Sequence, residues 1–217
     1  MLWTSEKWSD LEGKCTSACW SSCGSFLLFS VSEESVIYYT HFYSDTASNT
    51  IDIGGSGTAL KCADVSKVVF PTDDTNIEIG GLICDMAWDP TDSRLAVTFY
   101  DGTSGNRQPF IALYHTRKLP NLHLVPCGFV RGSEGQTPIN IDFVHGYDKG
   151  ALLSVYWSDE EISLVPLLFN HNLSSPRFIQ AEDVSLDTTK TTTAGVDNIG
   201  EVPSMQNRTI LYSAPDE

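Results

Sequence analysis

Three cysteines near the start of the chain have a spacing that could bind a metal ion. Cys15, Cys19 and Cys23 recur every four residues, and thiolates two to four residues apart are common zinc ligands. A zinc site needs further ligands, and neither a second cysteine pair nor a histidine pair follows at a matching distance. We therefore predict free thiols, with no metal and no other cofactor.

The other residues that could do chemistry also lack the partners that chemistry requires. The glycines at 54–57 and Lys61 do not form the phosphate-binding pattern Gly-x4-Gly-Lys-Ser/Thr, and no Gly-x-Ser-x-Gly nucleophile turn occurs. The acidic run 159–161 lacks the alternating oxygen ligands of a calcium loop, so we predict a solvated turn. The five histidines occur singly. We predict no catalytic, cofactor-binding or metal-binding residues and no enzyme activity.

Composition narrows the class of partner. The chain has 217 residues, is 41% hydrophobic and carries a formal net charge of −15. An acidic chain is a poor match for the phosphates of nucleic acids or for anionic lipids. No apolar run approaches the ~18 residues of a membrane span. The predicted partners are proteins, with no direct nucleic acid contact and no membrane span.

One pattern occurs three times along the chain: an aromatic-ended strand, a polar turn and an apolar strand. The copies lie at residues 19–29, 86–97 and 141–155. In the second and third copies, residue character alternates at every second position, as in a β-strand with two distinct faces. The runs at 26–29 and 151–153 are almost continuously apolar, so we predict central strands covered on both faces.

Each copy leads into a third β-rich run, and the later copies are preceded by a fourth, at 67–70 and 122–125. Four antiparallel strands per unit are typical of a β-propeller blade. The predicted fold is all-β, a WD40-type β-propeller with about three four-stranded blades. The blades are predicted at residues 11–42, 66–117 and 121–169.

Prolines and large aromatic residues fit this assignment. Pro126 and Pro166 should lie on edge strands, where a missing backbone N–H is tolerated. Four aromatic residues are predicted to pack in the core: Trp20, Trp88, Phe143 and Trp157.

Three blades are too few to close a ring, since propellers have about four to eight. We therefore expect residues 1–180 to form part of an incomplete, seven-bladed ring, with a flexible glycine-containing insertion at 43–65. Residues 181–217 are rich in threonine and acid, which predicts a low-complexity, disordered tail. A partial ring leaves apolar faces and strand edges unpaired, so the fragment should self-associate.

Several segments, in order over about residues 1–180, resemble the C-terminal blades of the Aladin family of WD-repeat nucleoporins. The segments are Leu2-Trp3-Thr4-Ser5-Glu6, Cys19-Trp20-Ser21, Trp88-Asp89-Pro90, Leu124-Val125-Pro126-Cys127-Gly128 and Lys149 through Ser158. The stretch from Lys149 to Ser158 is the most specific, because Trp-Asp-Pro occurs in many propellers.

This resemblance implies a non-enzymatic scaffold of the nuclear pore complex that supports nucleocytoplasmic transport through protein–protein contacts. The implied partners are other nucleoporins, including a transmembrane nucleoporin that anchors the protein at the pore. The implied location is the nuclear pore complex and nuclear envelope, with a cytoplasmic pool. One alternative is a WD-repeat adaptor of a ubiquitin-ligase or trafficking complex. A propeller hydrolase is a third, which has only His123 near the runs 67–70 and 122–125 to support it.

Overall fold

The computed structural model describes residues 11–44, 51–52, 59–71, 76–102, 104–118 and 121–168. The predicted tail at 181–217 and most of the predicted insertion lie outside these residues. The described part of the chain forms fifteen β-strands and contains no helix. The all-β prediction is therefore confirmed.

The strands follow the alternation seen in the sequence. In chain order they are β1 (Cys15–Trp20), β2 (Phe26–Val31), β3 (Val36–His41), β4 (Tyr43–Ser44), β5 (Ile51–Asp52), β6 (Leu60–Asp64), β7 (Val68–Pro71), β8 (Asn76–Ile79), β9 (Leu82–Trp88), β10 (Arg94–Tyr100), β11 (Arg107–Arg117), β12 (His123–Arg131), β13 (Pro138–Val144), β14 (Gly150–Trp157) and β15 (Ile162–Leu168).

Three antiparallel sheets carry the three copies of the repeat. The first sheet has the order β1-β2-β3-β6, the second β9-β10-β11-β12, and the third β13-β14-β15. Two further hairpins, β4-β5 and β7-β8, form sheets of two strands each. Pro126 lies on the edge strand β12 and Pro166 on β15, the last described strand of the third sheet. The edge positions predicted for both prolines are confirmed.

The fourth strands belong to different sheets from those predicted. The run 122–125 falls largely in β12, which pairs with β11 of the second sheet rather than with the third. The run 67–70 falls largely in β7, which pairs only with β8. The fourth strand of the first sheet is β6, inside the predicted insertion 43–65. The reason for the β12 pairing is local, since a strand that follows after a short turn pairs with the strand it has just left.

Two apolar clusters hold the sheets together. One lies between the first and second sheets and includes Leu28, Ile37 and Val97. The other lies between the second and third sheets and includes Ile111 and Leu153. Each sheet thus buries a face against its neighbour, as packed β-sheets do.

The predicted central position of β2 and β14 is confirmed, because each lies between two other strands of its sheet. Leu28 through Val31 are buried, so β2 is covered along this stretch. In β14 the residues alternate, with Leu153 buried and Leu152 only half-buried. Coverage of β14 on both faces was therefore a wrong expectation, because one face of the third sheet is open.

The first strands of the three sheets are neighbours. Strand β9 contacts both β1 and β13. The Ser17 hydroxyl donates to Asp85 Oδ1 at 3.2 Å and accepts from the Met86 backbone N–H at 3.1 Å. Polar contacts as well as apolar packing therefore fix the first sheet against the second along their first strands.

Candidate protein-interaction surfaces

The first surface is formed by the hairpin turns of the first and second sheets. The Ser22 backbone N–H, in the turn after β1, donates to Asp92 Oδ1 in the turn after β9 at 2.6 Å. Asp92 Oδ2 accepts from the Lys118 ammonium, also at 2.6 Å. The Asp92 side chain is only 4% exposed and the Lys118 side chain 32%. We call the turns 21–25 and 89–93, together with Lys118, the rim.

A second buried carboxylate fixes the shape of the turn after β9. Asp89 Oδ1 accepts from the backbone N–H groups of Ser93 and Arg94 at 2.6 and 2.5 Å, and Oδ2 accepts from Thr91 N–H at 3.0 Å. A carboxylate that accepts several backbone N–H groups locks a turn in one conformation. Asp89 is therefore a structural residue whose acceptors are already engaged.

The turn after β9 is also tied to β11, the third strand of the second sheet. The Trp88 indole N–H donates to Thr116 Oγ1 at 3.4 Å, and the Thr116 hydroxyl donates to the Asp92 carbonyl oxygen. In the third sheet, the Trp157 indole N–H donates to Ser163 Oγ at 2.9 Å. A buried indole N–H needs such a partner, so each tryptophan is both packed and oriented.

The predicted core role is confirmed for Trp88, Phe143 and Trp157, which are buried. It is wrong for Trp20, which is 53% exposed and packs its ring 4.9 Å from that of Phe42. Cys19, the preceding residue, contacts the core between the first and second sheets. Because side chains alternate along a strand, Trp20 is directed to the opposite face of the first sheet.

The three cysteines with metal-like spacing occupy three different environments. Cys15 is exposed, and Cys19 lies in β1 where burial raises its thiol pKa to about 12, with Asp85 and Asp92 adding to the effect. Cys23 is exposed in the rim, where hydrogen bonds from Ser21 and then Ser25 lower its pKa to about 7. All six cysteines are free thiols.

Within the described ranges, no group of three or more histidine, cysteine or acidic side chains could hold a metal ion. Nor do these residues include a helix long and apolar enough to cross a membrane.

The acidic run at 159–161 has a structural partner. The Gln136 side-chain amide donates to Asp159 Oδ2 and Glu161 Oε2, and Gln136 Oε1 accepts from the Ser133 backbone N–H. Gln136 is buried, whereas the acids lie in the exposed turn between β14 and β15. The expectation of an exposed turn is met, and two of its carboxylates also join this turn to the loop between β12 and β13.

The second surface is the open face of the third sheet. On β15, Ile162, Leu164 and Leu168 are 61%, 55% and 47% exposed. On the neighbouring β14, Tyr156 pairs with Ile162, and the half-buried Leu152 pairs with Pro166. We call these six residues the open patch. Large apolar residues grouped on one sheet face typically mark an interaction site.

The sequence alone did not identify the residues that join the rim. Asp92 was recognised only as part of a polar turn, and the roles of Thr116 and Lys118 were missed. The contact between Ser22 and Asp92 spans 70 residues, so no local period could indicate it. The hydroxyls that accept from the buried tryptophans give no fixed spacing either, since Thr116 follows Trp88 by 28 residues and Ser163 follows Trp157 by 6.

The arrangement of the described residues therefore suits docking: a rim held rigid by buried carboxylates and an apolar sheet face open to a partner. Comparison with family models gives no match. Comparison with curated proteins finds Aladin of Arabidopsis thaliana, 33% identical over 174 residues. The match covers 79% of this chain and 36% of that protein, so the chain spans about a third of its relative. Over the matched residues, the chain is an Aladin-like protein.

Proposed function

We propose that the chain is a non-enzymatic, WD-repeat scaffold of the nuclear pore complex, in which the three sheets are blades of a WD40-type β-propeller. The observation that carries the proposal is the similarity to Aladin over 79% of the chain. The structure supports it through antiparallel sheets whose first strands β1, β9 and β13 lie next to one another. Such radial packing is what a propeller requires.

A scaffold needs surfaces that keep their shape before a partner arrives. The rim meets this need, because Asp89 and Asp92 are buried and engaged with backbone N–H groups. Preorganised turns lose little conformational freedom on binding, which favours protein contacts. The partners in this proposal are other nucleoporins, including a transmembrane nucleoporin that anchors the chain at the pore.

The proposed location is the nuclear pore complex and nuclear envelope, with a cytoplasmic pool, and the proposed role is support of nucleocytoplasmic transport. The net charge of −15 favours contact with proteins over direct contact with RNA or DNA during transport.

Proximity labelling in cells tests this function. The chain is fused to a biotin ligase, and we expect nucleoporins, with a membrane-spanning one among them, to be enriched over the ligase alone. A fusion carrying Asp92→Ala, which removes the polar contact between the turns of the first two sheets, should reduce this enrichment. Enrichment of ubiquitin-ligase or trafficking subunits in place of nucleoporins would contradict the pore assignment and favour the adaptor role.

A further inference from the structure

The rim brings a thiol and an amine from two different sheets into contact. Cys23 lies in the turn after β1, and Lys118 follows β11, 95 residues further along the chain. The Lys118 Nζ lies 3.9 Å from the Cys23 Sγ. This contact joins two reactive groups of the same chain, so its chemistry does not depend on the pore assignment.

The turn after β1 holds the Cys23 sulfur in place. The Ser21 N–H donates to the Phe26 carbonyl oxygen, and the Gly24 N–H donates to the Ser21 carbonyl oxygen, each at 2.9 Å. Ser21 Oγ accepts from the Phe26 N–H at 2.9 Å and lies 3.4 Å from the Cys23 Sγ. Because this oxygen already accepts a hydrogen bond, its own hydrogen is available to the sulfur. The turn thus positions the thiol, while Cys23 itself is exposed to small oxidants.

A buried carboxylate holds the amine beside this sulfur. The Lys118 ammonium donates to Asp92 Oδ2 at 2.6 Å, and the Asp92 side chain is buried. The other oxygen, Asp92 Oδ1, accepts from the Ser22 N–H, which fixes the orientation of the carboxylate. The Lys118 side chain is partly exposed, and its four-carbon stem is flexible. The amine can therefore leave the carboxylate and reach the sulfur by rotation about its own bonds.

The thiol of Cys23 is also the one of the pair Cys19 and Cys23 that an oxidant should attack. Hydrogen bonds from Ser21 and then Ser25 lower the pKa of Cys23 to about 7, and the positive charge of Lys118 adds to the effect. Burial instead raises the pKa of Cys19 to about 12. The thiolate is the form that is oxidised, so Cys23 should react at neutral pH and Cys19 should not.

We propose that hydrogen peroxide converts Cys23 and Lys118 into a covalent sulfur–nitrogen link between the first and second sheets. In the first step, the thiolate sulfur attacks peroxide, the O–O bond breaks, and a sulfenic acid and water form. In the second step, the neutral amine attacks the sulfur, and the hydroxyl leaves as water with a proton from the nitrogen. In sum, the thiol and the amine lose two hydrogen atoms and two electrons, and one peroxide becomes two water molecules.

The link has consequences that can be measured. An amine attacks only in its neutral form, so the link should form several-fold faster at about pH 9 than at about pH 7. The link joins residues 95 positions apart, and a cross-link of this kind should raise the urea midpoint by about 1 M. Dithiothreitol should reverse it, because the dithiol takes the sulfur from the nitrogen and becomes a cyclic disulfide, which returns the free thiol and the amine.

The test is mass spectrometry of the full chain after treatment with a several-fold excess of hydrogen peroxide. We expect a product lighter by two hydrogen atoms, whose tryptic digest contains a pair of peptides linked through Cys23 and Lys118. Lys118→Arg keeps the positive charge beside Asp92, but a guanidinium stays protonated and does not attack. This variant should reduce the linked product at least about ten-fold.

Two matched controls separate this link from other oxidation products. Lys67→Arg changes another ion-paired lysine, whose Nζ lies 2.7 Å from Glu78 Oε1, and it should leave the yield of the linked product unchanged. A disulfide between Cys15 and Cys23 also removes two hydrogen atoms, but Cys15→Ser prevents it. The Cys15→Ser variant should therefore still form the link to Lys118.

Three results would overturn the proposal. In the first, peroxide converts Cys23 to a sulfinic acid with no peptide joined to it. In the second, Lys118→Arg loses two hydrogen atoms as completely as the wild type. In the third, Cys15→Ser abolishes the two-hydrogen loss, which would assign it to a disulfide. Circular dichroism of the variants checks folding, and each substitution keeps a side chain of similar size at an exposed or partly exposed site.

Discussion

The contact between the turns of the first two sheets should depend on Asp92. Replacing Asp92 with alanine removes the carboxylate that accepts from the Ser22 N–H and from Lys118. It also places alanine at a φ of 57°, a left-handed conformation that aspartate tolerates better. A hydrogen bond to a charged group contributes about 1.5–3 kcal/mol, and water can reach the exposed Ser22 after the change, so the low end applies. With a small further loss from the partly exposed ion pair and from alanine at a positive φ, we expect Asp92→Ala to lower the free energy of unfolding by about 2.5 kcal/mol in total.

The assay is urea unfolding of the whole chain followed by tryptophan fluorescence. For a slope of about 2 kcal/mol per M, a loss of this size lowers the midpoint by about 1 M urea. Hydrogen exchange adds a local readout, because the Ser22 amide should exchange faster when its acceptor is gone. Asp92→Asn keeps an acceptor and the tolerance for positive φ, so it should cost only about 1 kcal/mol.

Glu33 provides the matched control for backbone strain. It also has a positive φ, 67°, but it is exposed in the turn after β2. Glu33→Ala should change the free energy of unfolding by less than about 0.5 kcal/mol. If Asp92→Ala were equally mild, or if the Ser22 amide kept its exchange rate, the reasoning that Asp92 joins the two sheets would be refuted.

Three further predictions concern hydroxyl and thiol groups. Tyr114 is 1% exposed, and its hydroxyl has no hydrogen-bond partner among the residues that the structure describes. Tyr114→Phe should therefore leave the urea midpoint unchanged or raise the free energy of unfolding by about 1 kcal/mol, and a clear loss of stability would contradict this reasoning. The rate at which Cys23 reacts with iodoacetamide should rise with a midpoint near pH 7, and Ser21→Ala should raise that midpoint. Mass spectrometry of the labelled peptide measures both. An unmoved midpoint would exclude the Ser21 hydrogen bond as the cause of the lowered Cys23 pKa. Burial raises the pKa values of Cys19 and Cys62 to about 12 from an ordinary 9, so their contribution to stability is complete below pH 9 and falls between pH 9 and 12. The difference between the urea midpoints of the wild type and of the double Cys-to-Ala variant at these sites should therefore shrink over that window, and a constant difference would contradict the assignment.

The strand content was predictable from the sequence because it follows from local alternation. The second and third copies of the repeat alternate in residue character at every second position, and the hairpins β9-β10 and β13-β14 form there. The hairpin β1-β2 forms at the first copy. The outer strands were assigned to the wrong sheets, since alternation identifies a strand but not its partner. Strand β6 was missed because its residues Leu60–Asp64 are mostly exposed or half-buried, which gives no apolar signal.

The candidate surfaces were harder to predict for a different reason. The rim depends on Ser22 and Asp92, which are distant in sequence and meet only when two sheets pack. The exposure of Trp20 likewise depends on which face of the first sheet turns toward the second. Both follow from tertiary packing, which a single sequence does not encode at any fixed spacing.

Comparison of equivalent positions in the second and third sheets explains why one repeat can serve two purposes. Met86 and Ile141 occupy the same place in the repeat, and each is buried against the preceding sheet. Their neighbours Ala87 and Asp142 point to the other face, where Ala87 is buried by the third sheet and Asp142 is exposed. A small apolar residue permits close sheet packing, whereas a carboxylate at the same place opposes it. The repeat thus builds the core with one face of each sheet, and residue choice on the other face decides whether that face packs internally or stays available to a partner.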